Sequence, residues 1–373
     1  MIYFDNSATT AVNPMVLRTY TDVATKIMGN PSSLHGLGTT ATRLLEASRR
    51  QIAELLGVDS REIFFTSGGT EGDNWILKGV AFEKRPYGNH IIVSNVEHPA
   101  VKNTAEWLKT QGFEVDFAPV DGDGFVIVSE LEKLIRDETI LVSIMAVNNE
   151  VGTIQPIDEI SDLLADKPTI SFHVDAVQLV GKKIFNPYDL GIDSFSASAH
   201  KFHGPKGVGF LYIKDNIEIG KISFGGSQER NKRSGTENLN SILASSLALK
   251  IAFENLSKEQ EHLKSLMSYL ADEVEKCDYL KINGEDRINS IVSIQVKGQN
   301  IQFLLPMLDM KGIYVSGGSA CMSGSVLASP TLINMGLSEE QALSSIRVSF
   351  SIYNTVDEVK YFIECLKNIC KGE

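Results

Sequence analysis

Cysteine is scarce in this chain: four residues in 373, at positions 277, 321, 365 and 370, with no CxxC pair among them. A disulfide framework is thereby excluded, and reduced thiols are the expectation. No run approaches about 18 apolar residues, so no membrane-spanning helix is expected. The opening MIYFDNSATT has neither a basic start nor an apolar core, which gives no sign of a secretory leader and makes the cytoplasm the expected location. Positive charge is in deficit as well, with 35 Lys and Arg against 47 Asp and Glu, a net charge of −12. That balance disfavours direct binding to nucleic acid or to an anionic membrane and favours small-molecule chemistry. No internal repeat or low-complexity tract interrupts the chain.

What is present is an alternation. Short runs rich in β-branched and aromatic residues, at 62–67, 90–95, 139–147, 169–177 and 193–198, are separated by helix-compatible stretches at 70–84, 99–111 and 156–166. This pattern predicts an α/β fold with a mostly parallel sheet covered by helices, and ligands in such folds lie beyond the carboxyl ends of the strands. A long charged helical stretch from about residue 256 leads into the strand-like NSIVSIQV. The chain is therefore divided into a large domain, 15–255, and a smaller α+β domain made of 1–14 and 256–373.

The chemically suggestive residues fall where strands end. FFTSGGTEGDN reads as strand, glycine-rich turn and helix, so free N–H groups near Thr70 can hold an anion, although the Walker spacing is absent. His98 follows the next strand and precedes Pro99, a good helix start; taken alone it is equally a satisfied loop residue. Asn149 sits in a paired-asparagine turn and is ambiguous by itself. Asp175 ends the apolar run ISFHV, where a carboxylate needs a cation or a protonated heteroaromatic nitrogen, or else caps the next turn. Gln178, three residues on, could reach the same ligand. In SASAHKFHGPKGVG, Lys201 lies between His200 and His203, with Ser198 just before and three glycines just after. Metal binding by the two histidines competes with this reading, but no second ligand group has metal-site spacing. An anion cradle, an imidazole, a carboxylate and an amine together match the needs of pyridoxal phosphate: a Schiff-base lysine, a partner for the ring nitrogen and a phosphate cup.

YFDNSATT, NPSSLHGLG, FTSGGTEGDN, VNNEVGTIQP, FHVDAVQ, SAHKFHGPKGVG, QERNKRSGTEN and GSACMSG, in this order from residue 3 to about 350, resemble the cysteine desulfurases of the NifS/IscS type. These are fold-type-I, class-V aminotransferase-like enzymes that use pyridoxal 5'-phosphate. The resemblance implies that Lys201 carries the cofactor and moves the α-proton, that His98 stacks on the ring and acts in acid–base steps, and that Asp175 and Gln178 meet the ring nitrogen and the phenolate oxygen. Thr70, Ser198 and His200 would hold the phosphate, joined by Thr236 from a second subunit, while Asn149 and Arg347 would bind the substrate carboxylate. Cys321 would be the nucleophile that takes sulfur from L-cysteine as a persulfide, leaving L-alanine. Its surroundings, SGGSACMSGSVLAS, are small and rich in glycine and serine. Cys277, Cys365 and Cys370, in amphipathic contexts, suit inert buried thiols.

By the same resemblance the expected partners are a second copy of the chain, with shared active sites, and a protein sulfur acceptor serving Fe–S assembly or tRNA thiolation. Selenocysteine lyase and cysteine sulfinate desulfinase would share the cofactor residues, and a noncatalytic sulfur-relay scaffold would share the fold. The chain departs from the family pattern at Leu327 and Ala328, where relatives often have Glu-Pro, at Ser351 and Ile352, where many have Gly-Arg, and at Met322.

Overall fold

The computed structural model describes residues 1–318 and 327–371. Its largest sheet has seven strands: β2 (Ile63–Thr66), β3 (His90–Ser94), β4 (Glu114–Ala118), β5 (Thr139–Ser143), β6 (Ser171–Asp175), β7 (Ser194–Ser198) and β8 (Gly209–Ile213). They run in the order β2-β8-β7-β6-β5-β3-β4. The pairings from β7 through β6, β5 and β3 to β4 are parallel, and β8 runs antiparallel between β7 and β2. Every residue of β2, β3 and β5 to β8 is buried, as expected of strands covered on both faces, whose side chains need not alternate in polarity.

Local sequence sets the helix ends. Asn13 caps α1 (Pro14–Lys26) by accepting from the Met15 N–H, and Pro14 opens the helix where its missing donor costs nothing. His35 caps α2 (Gly36–Leu56), which stops at Gly57 in the left-handed conformation. Helix α3 (Gly69–Lys84) leaves β2, and α4 (Pro99–Thr110) leaves β3. The stretch read as 156–166 is helical only over Ile157–Leu164.

Two smaller sheets complete the fold. β9 (Leu280–Asn283), β10 (Ile291–Val296) and β12 (Ser345–Ser349) form an antiparallel sheet in the order β12-β10-β9, and β1 (Ile2–Tyr3) pairs in parallel with β11 (Ile313–Tyr314). The expected change near residue 256 falls inside one continuous helix, Leu239–Glu275. Its first half, to Ala252, packs into the core of the large sheet; from Leu263 it packs into a second core with β10, β12 and the C-terminal helix Val356–Lys371. A helix tolerates such a change of partner because its backbone hydrogen bonds are internal wherever its apolar face points. Ile288, Ile291, Leu332 and Met335 also enter the first core, so the two cores meet. We propose that the two domains follow these two cores.

Candidate active site

Because β2, β3, β5, β6 and β7 all run the same way, their carboxyl ends share one edge of the sheet, and Thr70, His98, Asn149, Asp175, Ser198, His200 and Lys201 all lie on or just beyond those ends. At β2 the chain turns through Gly68, at φ 151°, directly into α3, whose N-terminus has no side-chain cap. The region allows only glycine comfortably, and a Cβ there would stand 3.3 Å from Ser198 Oγ. Thr70, in the first turn of α3, is exposed, and Ser198 is buried at the end of β7. The uncapped turn and the Ser198 hydroxyl thus converge on one spot suited to an anion.

His98 caps α4, its Nδ1 accepting from the Ala100 N–H at 3.1 Å. The loop role is therefore present: the cap fixes the ring, and the ring lies within reach of the charges of Asp175 and Lys201. Burial holds the His98 imidazole below its usual range, opposed by Asp175 and reinforced by Lys201 and Arg347. In the paired-asparagine turn the two residues divide the work. Asn148 Oδ1 accepts from the Glu150 and Val151 N–H groups, building the turn, while the Asn149 carbonyl accepts from Ser7 Oγ at 2.8 Å and from Arg347 Nη1 at 3.0 Å.

Asp175 is 5% exposed, and its Oδ1 accepts from the Val177 N–H at 2.9 Å, so it does shape the following turn. No lysine or arginine pairs with it among the described residues. Burial, then the charge of Asp73, push its carboxyl up to about 6. Beneath it lies a set of buried groups that come from separate stretches of the chain. Asp73 Oδ1 accepts from Ser196 Oγ at 2.5 Å and lies 3.3 Å from His173 Nε2; burial pushes Asp73 to about 7 and His173 down to about 4. Glu97, raised by burial, accepts from Ser94 Oγ and the Met145 N–H through Oε1.

Lys201 closes the 3-10 turn Ala199–Lys201 after β7. Its Nζ donates to the Ser7 carbonyl at 2.5 Å and to the Ala8 carbonyl at 2.8 Å. Burial, then Arg347, lower the amine to about 8. His200, lowered to about 4 by burial and Lys201, meets Thr9 Oγ1 at 3.2 Å. Arg347 reaches in from β12: Nη2 is paired with Asp5 at 2.7 Å, and its buried Nε has no acceptor among the described residues.

Two predicted residues stand apart. Thr236 is exposed, on a loop that Arg233 ties to Glu71 of α3 at 2.7 Å, and no hydrogen bond joins it to Thr70, Ser198 or His200 among the described residues. Cys321 lies outside the described residues. Cys277 and Cys365 are buried and Cys370 is partly so, with burial pushing the Cys370 thiol up. Residues whose roles the sequence left unread are Ser7 and Ala8, which hold Lys201, Asp5, which holds Arg347, and Lys182. The only signal was that the first three lie in the motif YFDNSATT.

A carboxylate without a cation, an amine of lowered basicity and an uncapped helix start fit a phosphate-bearing aldehyde whose ring carries a protonatable nitrogen. The model of the family described as aminotransferase class-V matches residues 2–362. The chain belongs to that family. It is 43% identical over 375 residues to cysteine desulfurase IscS of Clostridium botulinum, covering 99% of this chain and 94% of that protein. The solved structure of a NifS-like protein superposes with a TM-score of 0.94 at 39% identity, covering all of both chains. A structure of SspA in complex with cysteine superposes with a TM-score of 0.85 at 31% identity, covering 95% of this chain and all of that one. Pyridoxal phosphate is the cofactor of class-V enzymes of this kind, and the residues present fit it.

Proposed function

We infer that the chain is a pyridoxal phosphate-dependent cysteine desulfurase, converting L-cysteine to L-alanine and passing the sulfur to its own Cys321. The observation that carries this reading is the gathering at the sheet's carboxyl edge of buried Asp175, half-buried His98 and Lys201, and buried Arg347, which reaches in from β12 to the Asn149 carbonyl. The names of the relatives support the activity.

Asp175, Gln178 and His98 would hold the cofactor ring, and Thr70, Ser198 and His200 its phosphate. The cofactor supplies an electron sink for the α-carbon of a bound amino acid. Arg347 binds the cysteine carboxylate with its guanidinium fork, next to Asn149, and Lys201 moves the α-proton as general base. The Cys321 thiolate attacks the substrate sulfur: an S–S bond forms, the Cβ–S bond breaks, and its electron pair returns to carbon, where a proton completes alanine. One thiol and one cysteine thus become one persulfide and one alanine, with no external oxidant. The three other thiols, set in or beside the second core, are poorly placed for this step.

Two finer readings belong to the same proposal. The enzyme is a homodimer in which Thr236 serves the partner's phosphate site, supported by the exposure of Thr236 and of Met28, Leu34 and Phe224. The persulfide is delivered to a protein acceptor for Fe–S assembly or tRNA thiolation. The cytoplasm is the compartment we assign, in keeping with three unpaired cysteines among the described residues; no helix there is long and apolar enough to cross a membrane.

The test is an assay of purified protein with L-cysteine, measuring alanine and protein-bound sulfur together. Wild type should make both, Lys201→Ala neither, and Cys321→Ser should bind cysteine without forming persulfide. Labelled sulfur appearing on Cys365 or Cys370 would overturn the assignment of the nucleophile, and alanine made by Lys201→Ala would overturn that of the base.

A further inference from the structure

Lys182 is a lysine whose amine meets an amide oxygen. Among the described residues it forms no ion pair; its Nζ donates instead to Gln178 Oε1 at 2.7 Å. The turn after β6 creates this contact. Val180 N–H bonds the Ala176 carbonyl and Lys182 N–H the Leu179 carbonyl, which winds Lys182 back to the side of Gln178, four residues earlier. Gly181, at φ 80°, permits the close pass: a Cβ there would meet Phe202 Cβ at 2.6 Å, next to Lys201. From the other side, Gln260 of the long helix donates to the Lys182 carbonyl at 2.8 Å. The backbone is held from both directions, and the ammonium points at one amide oxygen.

The consequence lies in the amide. Gln178 can present either end to either neighbour, and the two ends differ chemically. A charged lysine only donates, so Oε1 must face Lys182. The Ser7 carbonyl only accepts, so Nε2 must face Ser7, and it does, 3.0 Å from both the Ser7 carbonyl and Ser7 Oγ. The same Ser7 carbonyl accepts from Lys201 Nζ. Lys182, Gln178, Ser7 and Lys201 form one chain of hydrogen bonds in which, with Lys182 charged, every donor and acceptor assignment is forced by its ends.

We propose that Lys182 is a positioning residue of the active site, fixing the Gln178 amide so that its N–H groups face Ser7 and the cofactor. This rests on the reading of the site as a pyridoxal phosphate site in which Gln178 donates to the cofactor. Without the ammonium the amide can turn, and an oxygen would then face the oxygens of Ser7 and of the cofactor. Burial, then the neighbouring Lys201 and Arg347 charges, lower Lys182 to about 7, so it is the protonated form that holds the amide in this sense.

The test is a double-mutant cycle read by pyridoxal phosphate affinity of the apoprotein and by the pH titration of the bound cofactor's visible absorbance, without substrate. Lys182→Met keeps length and apolar bulk and removes the donor; Gln178→Leu removes the amide. Lys182→Met should weaken cofactor affinity on the order of tenfold, the size of one charge-assisted hydrogen bond. It should move the absorbance titration in the same direction as Gln178→Leu, and in the double variant it should add nothing to the Gln178→Leu effect. Lys182→Arg, which retains a donor, should recover part of the affinity. Losses that multiply in the double variant, or a Lys182→Met protein with wild-type affinity and titration, would overturn the proposal. A misfolded Lys182→Met, seen by its unfolding transition, leaves the decision to Lys182→Arg, whose titration must stay on the wild-type side of Gln178→Leu. If wild type itself takes up no pyridoxal phosphate on Lys201, the underlying reading fails rather than the role of Lys182.

Discussion

Asp175→Asn should make the protein more stable without cofactor while spoiling its chemistry. Asp175 is buried, and its carboxyl is raised from 3.8 to about 6, by burial first and by Asp73 second. A group raised on folding contributes its full stability below the unfolded value and loses it as pH rises through the folded one. Above about pH 6 the apoprotein therefore carries a penalty of about 2 pKa units at 1.36 kcal/mol each, a ceiling of about 3 kcal/mol. Asparagine has the same shape and no charge, and its Oδ1 can still accept from the Val177 N–H. With an unfolding entropy of about 2.1 cal/mol/K per residue, or about 0.8 kcal/mol/K for 373 residues, the relief corresponds to a Tm rise of about 3–4 °C. The assay is thermal unfolding of both apoproteins between pH 5 and pH 8. The gap should be largest at pH 8 and shrink below pH 6, where wild-type Asp175 becomes neutral. An equal gap at every pH, or an apo variant less stable at pH 8, would refute the reasoning. The loaded variant should lose desulfurase activity, since an amide cannot hold a ring nitrogen protonated.

Two further predictions concern residues placed by distant parts of the chain. Arg347→Lys loses the fork that bonds Asp5 and the Asn149 carbonyl, so the KM for cysteine should rise about tenfold or more while the resting cofactor spectrum stays unchanged; unaltered KM and turnover would remove Arg347 from the site. Lys201→Ala and a chain disabled at Arg233 and Thr236 should each be inactive alone, yet regain activity when mixed, because the hybrid has one site with an intact lysine and an intact loop. Hybrids that form without recovered activity would show that the loop serves its own chain.

Strands β2, β3, β5, β6 and β7 were legible because each is a short buried run whose identity does not depend on its partners, whereas the partly exposed β4 was not read; the residues at the strand ends were legible because ligand sites in such sheets gather there. Boundaries were less so. The helix Leu239–Glu275 crosses the expected division because backbone hydrogen bonding ignores which core its side chains enter. His98 and Asp175 each admitted a capping role and a site role; the capping geometry is found for both, and only the neighbouring charges that packing brings up bear on the other.

By itself the sequence determined the fold class, the strand-end chemistry and, through eight colinear motifs, the family. Those features rest on local periodicity, turn residues and spacing, all of which are properties of contiguous chain. The tertiary structure alone decided that Ser7 holds Lys201 across 194 positions, that Asp5 holds Arg347 across 342, and that Asp73 and His173, a hundred residues apart, share the space beneath Asp175. A donor's partner and a carboxyl's basicity depend on what packing brings within about 3 Å and on how much water it expels, and neither is written in any one stretch of sequence.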